Sequence, residues 1–216
     1  MQTKGYRAVI RQFLRGVEWA SPRNISILIH GHAGEANWAA TELSEMASTR
    51  RIRPLRRLLG PRHTFATPET AKKDKGEFNI EHDLKLRDVL AKFFYIRKYA
   101  DLENLSVRHI PGNPDAHVGS LFFELDNGHE NDAQLAEKLQ RYTGPGAFQV
   151  IFVMAHRYGD PALEAKRLEK LLALGGSVLG RKPNRVIAGT YHGFLTDGSL
   201  ANLKGVKVGL PPYNPA

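Results

Sequence analysis

"PDAHVGSLFFELDNGHENDAQLAEKLQRY", Pro114 to Tyr142, carries the period of a strand hairpin in its first half and of an amphipathic helix in its second. Strand alternation puts Leu121, Phe123 and Leu125 on one face, and Phe122, Glu124 and Asp126 on the other. Gly119–Ser120 reads as a tight turn. If "DAHV" pairs with "FFEL" across it, Asp115 at the start of the first strand comes near Glu124, late in the second. Carboxylates so placed repel one another and invite a divalent cation. After an Asn127–Gly128 turn, Leu135, Leu139 and Tyr142 mark the inward stripe of a helix. Lys138 flanks that stripe and can turn its ammonium toward the acids.

The flanking sequence supplies the rest of an α/β (α+β) domain. "FQVIFVM" is a continuous apolar run typical of a central strand, "PALEAKRLEKLLALGG" is an amphipathic helix closed by glycine, and "RVIAGTYHGF" suggests another strand. Upstream, Ile80, Leu84, Leu86, Val89, Leu90, Phe93 and Phe94 give the apolar stripe of a long helix, with "NLSVRHI" a strand after it. The expected architecture is a mixed sheet flanked by helices.

Charge divides the chain unevenly. Residues 1–76 hold 14 Lys/Arg against 6 Asp/Glu, whereas residues 77–216 hold 17 against 16, so nearly all of the net +9 lies in the first third. A basic surface confined to one segment is the electrostatic footprint of a polyanion-binding module. "KKDKGE", residues 72–77, coincides with the change and reads as a linker. The expected division is therefore 1–76, 77–195, and a Gly/Pro-rich extension over 196–216. No apolar run approaches the ~20 residues of a membrane span, and the N-terminus lacks a signal-peptide pattern, so a cytoplasmic protein with no membrane partner is expected. With no cysteine, disulfides, thiolate metal sites and thiol catalysis are excluded. No P-loop and no GxSxG elbow is present.

Within the basic segment, Val9, Ile10, Phe13, Leu14 and Val17 are at helical spacing, Ser21 and Pro22 read as the N-cap and first residue of a second helix, and a third begins after Asn37 with Trp38, Leu43 and Met46 inward. Two short segments punctuated by Gly60, Pro61 and Arg62 suggest a β-hairpin, and Thr67 with Pro68 starts a further short helix. Three helices and a basic hairpin resemble a winged helix-turn-helix. In that arrangement Arg50, Arg51, Arg53, Arg56, Arg57 and Arg62 lie at the end of the recognition helix and along the wing, where guanidinium groups meet phosphates. Trp38 and Phe65 are expected in the core.

"NPDAHV" followed by "LFFELDNG" resembles the signature of PD-(D/E)XK nuclease-like domains. The fuller pattern of an "EHDL" helix, "PDA", "FFELDNGHE" and "KLQRY" behind a winged helix is similar to the replication-relaxation family of plasmid and mobile-element proteins. The resemblance implies Asp115 and Glu124 as ligands of Mg²⁺ or Mn²⁺, and Glu81 as an assisting helix acid. Where the nuclease pattern has lysine, this chain has Asp126, which can add a third oxygen ligand or act as base, and Lys138 is the candidate to supply the missing charge. The implied function is a double-stranded-DNA-binding protein of a plasmid, phage or other mobile element, acting in replication, relaxation or mobilisation beside other such proteins, with a nuclease-like domain that the Asp126 departure marks as degenerate. An active Mg²⁺-dependent endonuclease and a non-catalytic transcriptional or assembly factor, whose second domain binds a protein or forms a homodimer, stay open as alternatives. His82, His117, His129 and His156 lie among or near these acids without HxH or HxxxH spacing.

Overall fold

The computed structural model describes residues 3–54, 64–68, 80–107, 114–144, 148–179 and 185–210. The chain forms two compact units, Met1–Val107 and Arg108–Ala216. The boundary thus falls some way beyond the linker expected near residue 76.

The first unit opens with α1 (Thr3–Val17), which buries Ile10, Phe13, Leu14 and Val17 as its spacing predicts. It leads into β1 (Trp19–Ala20) and then α2 (Pro22–His30). The α2 start is a full capping box: the Ser21 hydroxyl accepts from the Asn24 amide and the Asn24 side chain accepts from the Ser21 amide, with Pro22 at the first position. Gly31 closes it at φ 79°, and a Cβ there would stand 2.4 Å from the Tyr95 ring. Then come α3 (Ala36–Ser48), β2 (Arg53–Pro54) and β3 (Phe65–Ala66). β2 and β3 pair antiparallel, as the hairpin reading expects, and β1 adds a third strand in the order β1-β3-β2. The proposed turn at Gly60 to Arg62 lies outside the described residues, as does all but Pro68 of the short helix. Leu43, Met46 and Phe65 are buried; Trp38 is half-buried, in edge contact with the His30 ring at 4.7 Å.

Helix α4 (Ile80–Ile96) belongs to this first unit, and β4 (Leu105–Val107) closes it. What ties α4 here is Arg87, a fully buried guanidinium. It donates to the carbonyls of Trp19 at 2.7 Å, Val17 at 2.8 Å and Asp83 at 2.9 Å, and lies 3.8 Å from the Trp19 ring centre. Burial lowers its pKa to about 10, with Asp83 and Glu18 working in the opposite direction, so it stays charged at neutral pH. On the same helix Asp88 accepts from Asn24 at 2.7 Å and from Arg23 at 2.8 Å.

The second unit is a mixed sheet with helices. Its strands are β5 (Ala116–Val118), β6 (Leu121–Asp126), β7 (Gln149–Met154), β8 (Val186–Thr190), β9 (Leu200–Asn202) and β10 (Lys207–Val208), in the order β10-β9-β8-β7-β6-β5. β6, β7 and β8 run parallel, and the outer pairs are antiparallel. The parallel crossovers are made by α5 (Asp132–Arg141) and α6 (Pro161–Leu179), while α7 (Tyr191–Asp197) follows β8. Leu135, Leu139 and Tyr142 of the α5 segment pack with Val150, Phe152 and Met154 of β7 and Leu171 of α6 in one apolar cluster. Among the described residues no helix is long and apolar enough to cross a membrane.

Candidate functional site

The β5–β6 hairpin has the expected register: Ala116 faces Phe123, His117 faces Phe122 and Val118 faces Leu121. Continued by one residue, this register sets Asp115 beside Glu124. Asp115 Oδ2 accepts the Leu125 amide at 2.8 Å, which fastens the start of one strand to the end of the other. Glu124 and Asp126 point to the face covered by α5 and α6, and both are almost completely buried, at 2% and 1% exposure.

Each buried carboxylate is held differently. The Tyr142 hydroxyl donates to Glu124 Oε1, and the Lys138 ammonium stands 3.3 Å from Oε2. Burial, and next the neighbouring Asp115 charge, push the Glu124 carboxyl up to about 7, against the opposing pull of Lys138 and Tyr142. Burial works against the Lys138 charge as well, but Glu124, Asp115 and Glu130 together hold that ammonium above the ordinary lysine range; Glu130 Oε1 lies 2.6 Å from it. Burial and then Glu124 raise the Tyr142 phenol well above its ordinary value, so it remains a proton donor. Asp126 takes a separate set of partners. Its Oδ1 accepts the Gly128 amide at 2.9 Å, and Oδ2 accepts from Arg167 of α6. Arg167 also donates to the Glu130 carbonyl at 2.8 Å, so Glu130 links the two carboxylate sites.

The sequence-expected trio of Asp115, Glu124 and Lys138 is therefore together. Asp126, expected as a third oxygen ligand or base, has both oxygens engaged by Gly128 and Arg167, an arrangement suited to fixing the turn after β6. Glu81 sits on α4 of the first unit, 3.1 Å from Lys85. Arg50, Arg51 and Arg53 are exposed, Arg50 with φ 57° just past the end of α3 and Arg53 on β2. Arg56, Arg57 and Arg62 lie outside the described residues. Sequence reading placed Tyr142 only as a core residue and missed Arg167 and Glu130. Tyr142 was detectable, four residues beyond Lys138 on one helix face; Arg167, 41 residues from Asp126, gives no local signal.

Among the described residues no group of three His, Asp or Glu side chains is gathered to hold a metal ion. The donor set at hand is the Asp115–Glu124 pair. Magnesium commonly takes one or two carboxylates and completes its shell with water and substrate phosphate oxygens, so the pair suffices in number, but both Glu124 oxygens are engaged, by Tyr142 and Lys138, and a cation would have to displace one of these partners. The site lies at the carboxyl end of the parallel strand β6, the end at which open α/β sheets bind ligands. Comparison with protein-family models, curated proteins and solved structures found no match for this chain.

Proposed function

We propose that the chain is a double-stranded-DNA-binding protein of a plasmid, phage or other mobile element, acting in replication, relaxation or mobilisation, whose second unit cleaves phosphodiesters with Mg²⁺ or Mn²⁺. The observation that carries this reading is Lys138. The nuclease pattern needs a cation beside its second acid, the strand offers Asp126 there, and the next helix brings an ammonium to 3.3 Å from Glu124. Lys138 is partly buried against that acid, and the ion pair offsets the desolvation of both groups. Asp115 and Glu124 would hold the cation, which when bound supplies charge neutralisation at the phosphate and an activated water. Lys138 stabilises the negative charge that grows on the phosphoryl oxygens, and Tyr142 keeps Glu124 turned toward it. The assignment to a mobile element rests on the resemblance of the Pro114 to Tyr142 pattern.

Duplex binding is assigned to the first unit. Its order of helix, strand, helix, helix, strand, strand, with a three-stranded sheet β1-β3-β2, supports a winged helix, and Arg50, Arg51 and Arg53 are exposed after α3 and on β2, which on that reading are the recognition helix and the wing. Titrating a labelled duplex at several salt concentrations tests this. Replacing the three arginines by alanine should lower the slope of log K against log salt by about 0.9 per lost phosphate contact, up to about 2.7 in all. An unchanged slope would move the DNA-binding surface elsewhere.

A further inference from the structure

Beside the carboxylate site the second unit has an open groove of about 540 Å³, lined by His156, Lys166, Arg167 and Lys170, with Glu169 as its acid. Arg167 joins groove and site, since the same guanidinium holds Asp126. Among the described residues Lys166 has no ion-pair partner, and Lys170 pairs only with the half-exposed Asp132, a contact that a phosphate can displace. At one side His156 is in edge contact with Tyr158, ring centres 5.7 Å apart. Tyr158 is 80% exposed, the most exposed large apolar side chain among the described residues, and the Arg157 guanidinium lies 5.4 Å from its ring. It follows β7 in the loop turned by Gly159 at φ 66°, at the carboxyl end of a parallel strand.

We infer that this groove binds a single strand of nucleic acid, with phosphates on Lys166 and Lys170 and an unstacked base on Tyr158. Cations along a groove follow a backbone, and an exposed aromatic ring offers a stacking surface that every base can use. A duplex, whose bases are already stacked on one another, gains nothing from Tyr158. Arg167 would bring such a strand alongside Asp126, two residues from Glu124 on the same strand β6. The inference deepens the phosphodiester reading of that site, and its test reads binding alone, so each can fail without the other.

The probe is a fluorescein-labelled oligothymidylate added to the full-length protein, with unlabelled duplex in excess to occupy the arginine surface of the first unit. Anisotropy should show binding. Tyr158→Ala should weaken it about 10-fold, Tyr158→Phe should leave it as it was, and Lys166→Ala with Lys170→Ala should lower the salt slope by about 1.4. These side chains are exposed, so thermal unfolding of the variants should match the parent. The inference is overturned if the parent does not bind the oligothymidylate beside duplex, if the variants bind as the parent does, or if Tyr158→Ala weakens duplex binding in parallel. Strand binding without cleavage under any metal condition upholds the groove and removes the nuclease reading.

Discussion

Asp115→Asn combined with Glu124→Gln should abolish Mn²⁺ binding, measured by calorimetric titration of the full-length protein, while the fold and duplex affinity survive. The neutral side chains keep the volume and much of the hydrogen bonding: the carboxamide oxygen introduced at position 115 can still accept the Leu125 amide, and the one introduced at position 124 can still accept the Tyr142 hydroxyl. What they remove is the negative charge a cation requires. They also remove the mutual repulsion that, after burial itself, holds Glu124 up to about 7. Because ionising Glu124 costs more in the folded state than in the unfolded chain, the parent should lose stability as pH rises toward about 7 and the metal-free variant should lack that loss, the gain being offset in part by the new amide NH2 set against Lys138. Retained Mn²⁺ binding would place the metal elsewhere.

The second large effect concerns folding. Arg87→Ala should destabilise the first unit by about 3–5 kcal/mol, because it strands the carbonyls of Val17 and Trp19 in a dry interior and opens a cavity the size of a guanidinium. Chemical unfolding followed by tryptophan fluorescence reads this unit specifically, since the chain's two tryptophans, Trp19 and Trp38, both lie in it. Arg87→Lys should also fail to restore stability, as a single ammonium cannot replace a fork that serves three carbonyls. A loss below about 1 kcal/mol would mean that α4 is held by its apolar face alone.

Much of the fold was legible because it is locally encoded. Ile10, Phe13, Leu14 and Val17 specify α1 by spacing, Ser21, Pro22 and Asn24 specify the start of α2 by capping chemistry, and the Gly119–Ser120 turn sets the hairpin register that joins Asp115 to Glu124. Lys138 could be placed because one helical turn fixes its direction relative to Leu135 and Tyr142. Two-residue strands such as β1 leave no periodicity to read. The division at Val107 is not legible in the charge break at "KKDKGE", which marks a change of surface, whereas membership of a compact unit is decided by burial. Arg87, charged and embedded in a helix, does not announce that its partners lie about 70 residues away in the preceding segment. Arg167 escaped for the same reason, its partner Asp126 being on another element.

On the proposed reading, a lysine supplied by α5 completes a cleaving site with Asp115 and Glu124. The direct measurement is the single-turnover rate at which the full-length protein nicks DNA in Mg²⁺ or Mn²⁺, for the parent and for Lys138→Ala, with duplex affinity measured on the same samples. The parent should nick DNA and the variant should do so about 30- to 1,000-fold more slowly, the roughly 2–4 kcal/mol that a positioned electrostatic group commonly contributes, at unchanged duplex affinity. A parent that neither nicks DNA nor binds Mn²⁺, or a Lys138→Ala variant that nicks at the parent's rate, would overturn this, and in the first case Asp115, Glu124 and Asp126 are the polar rim of an α/β core.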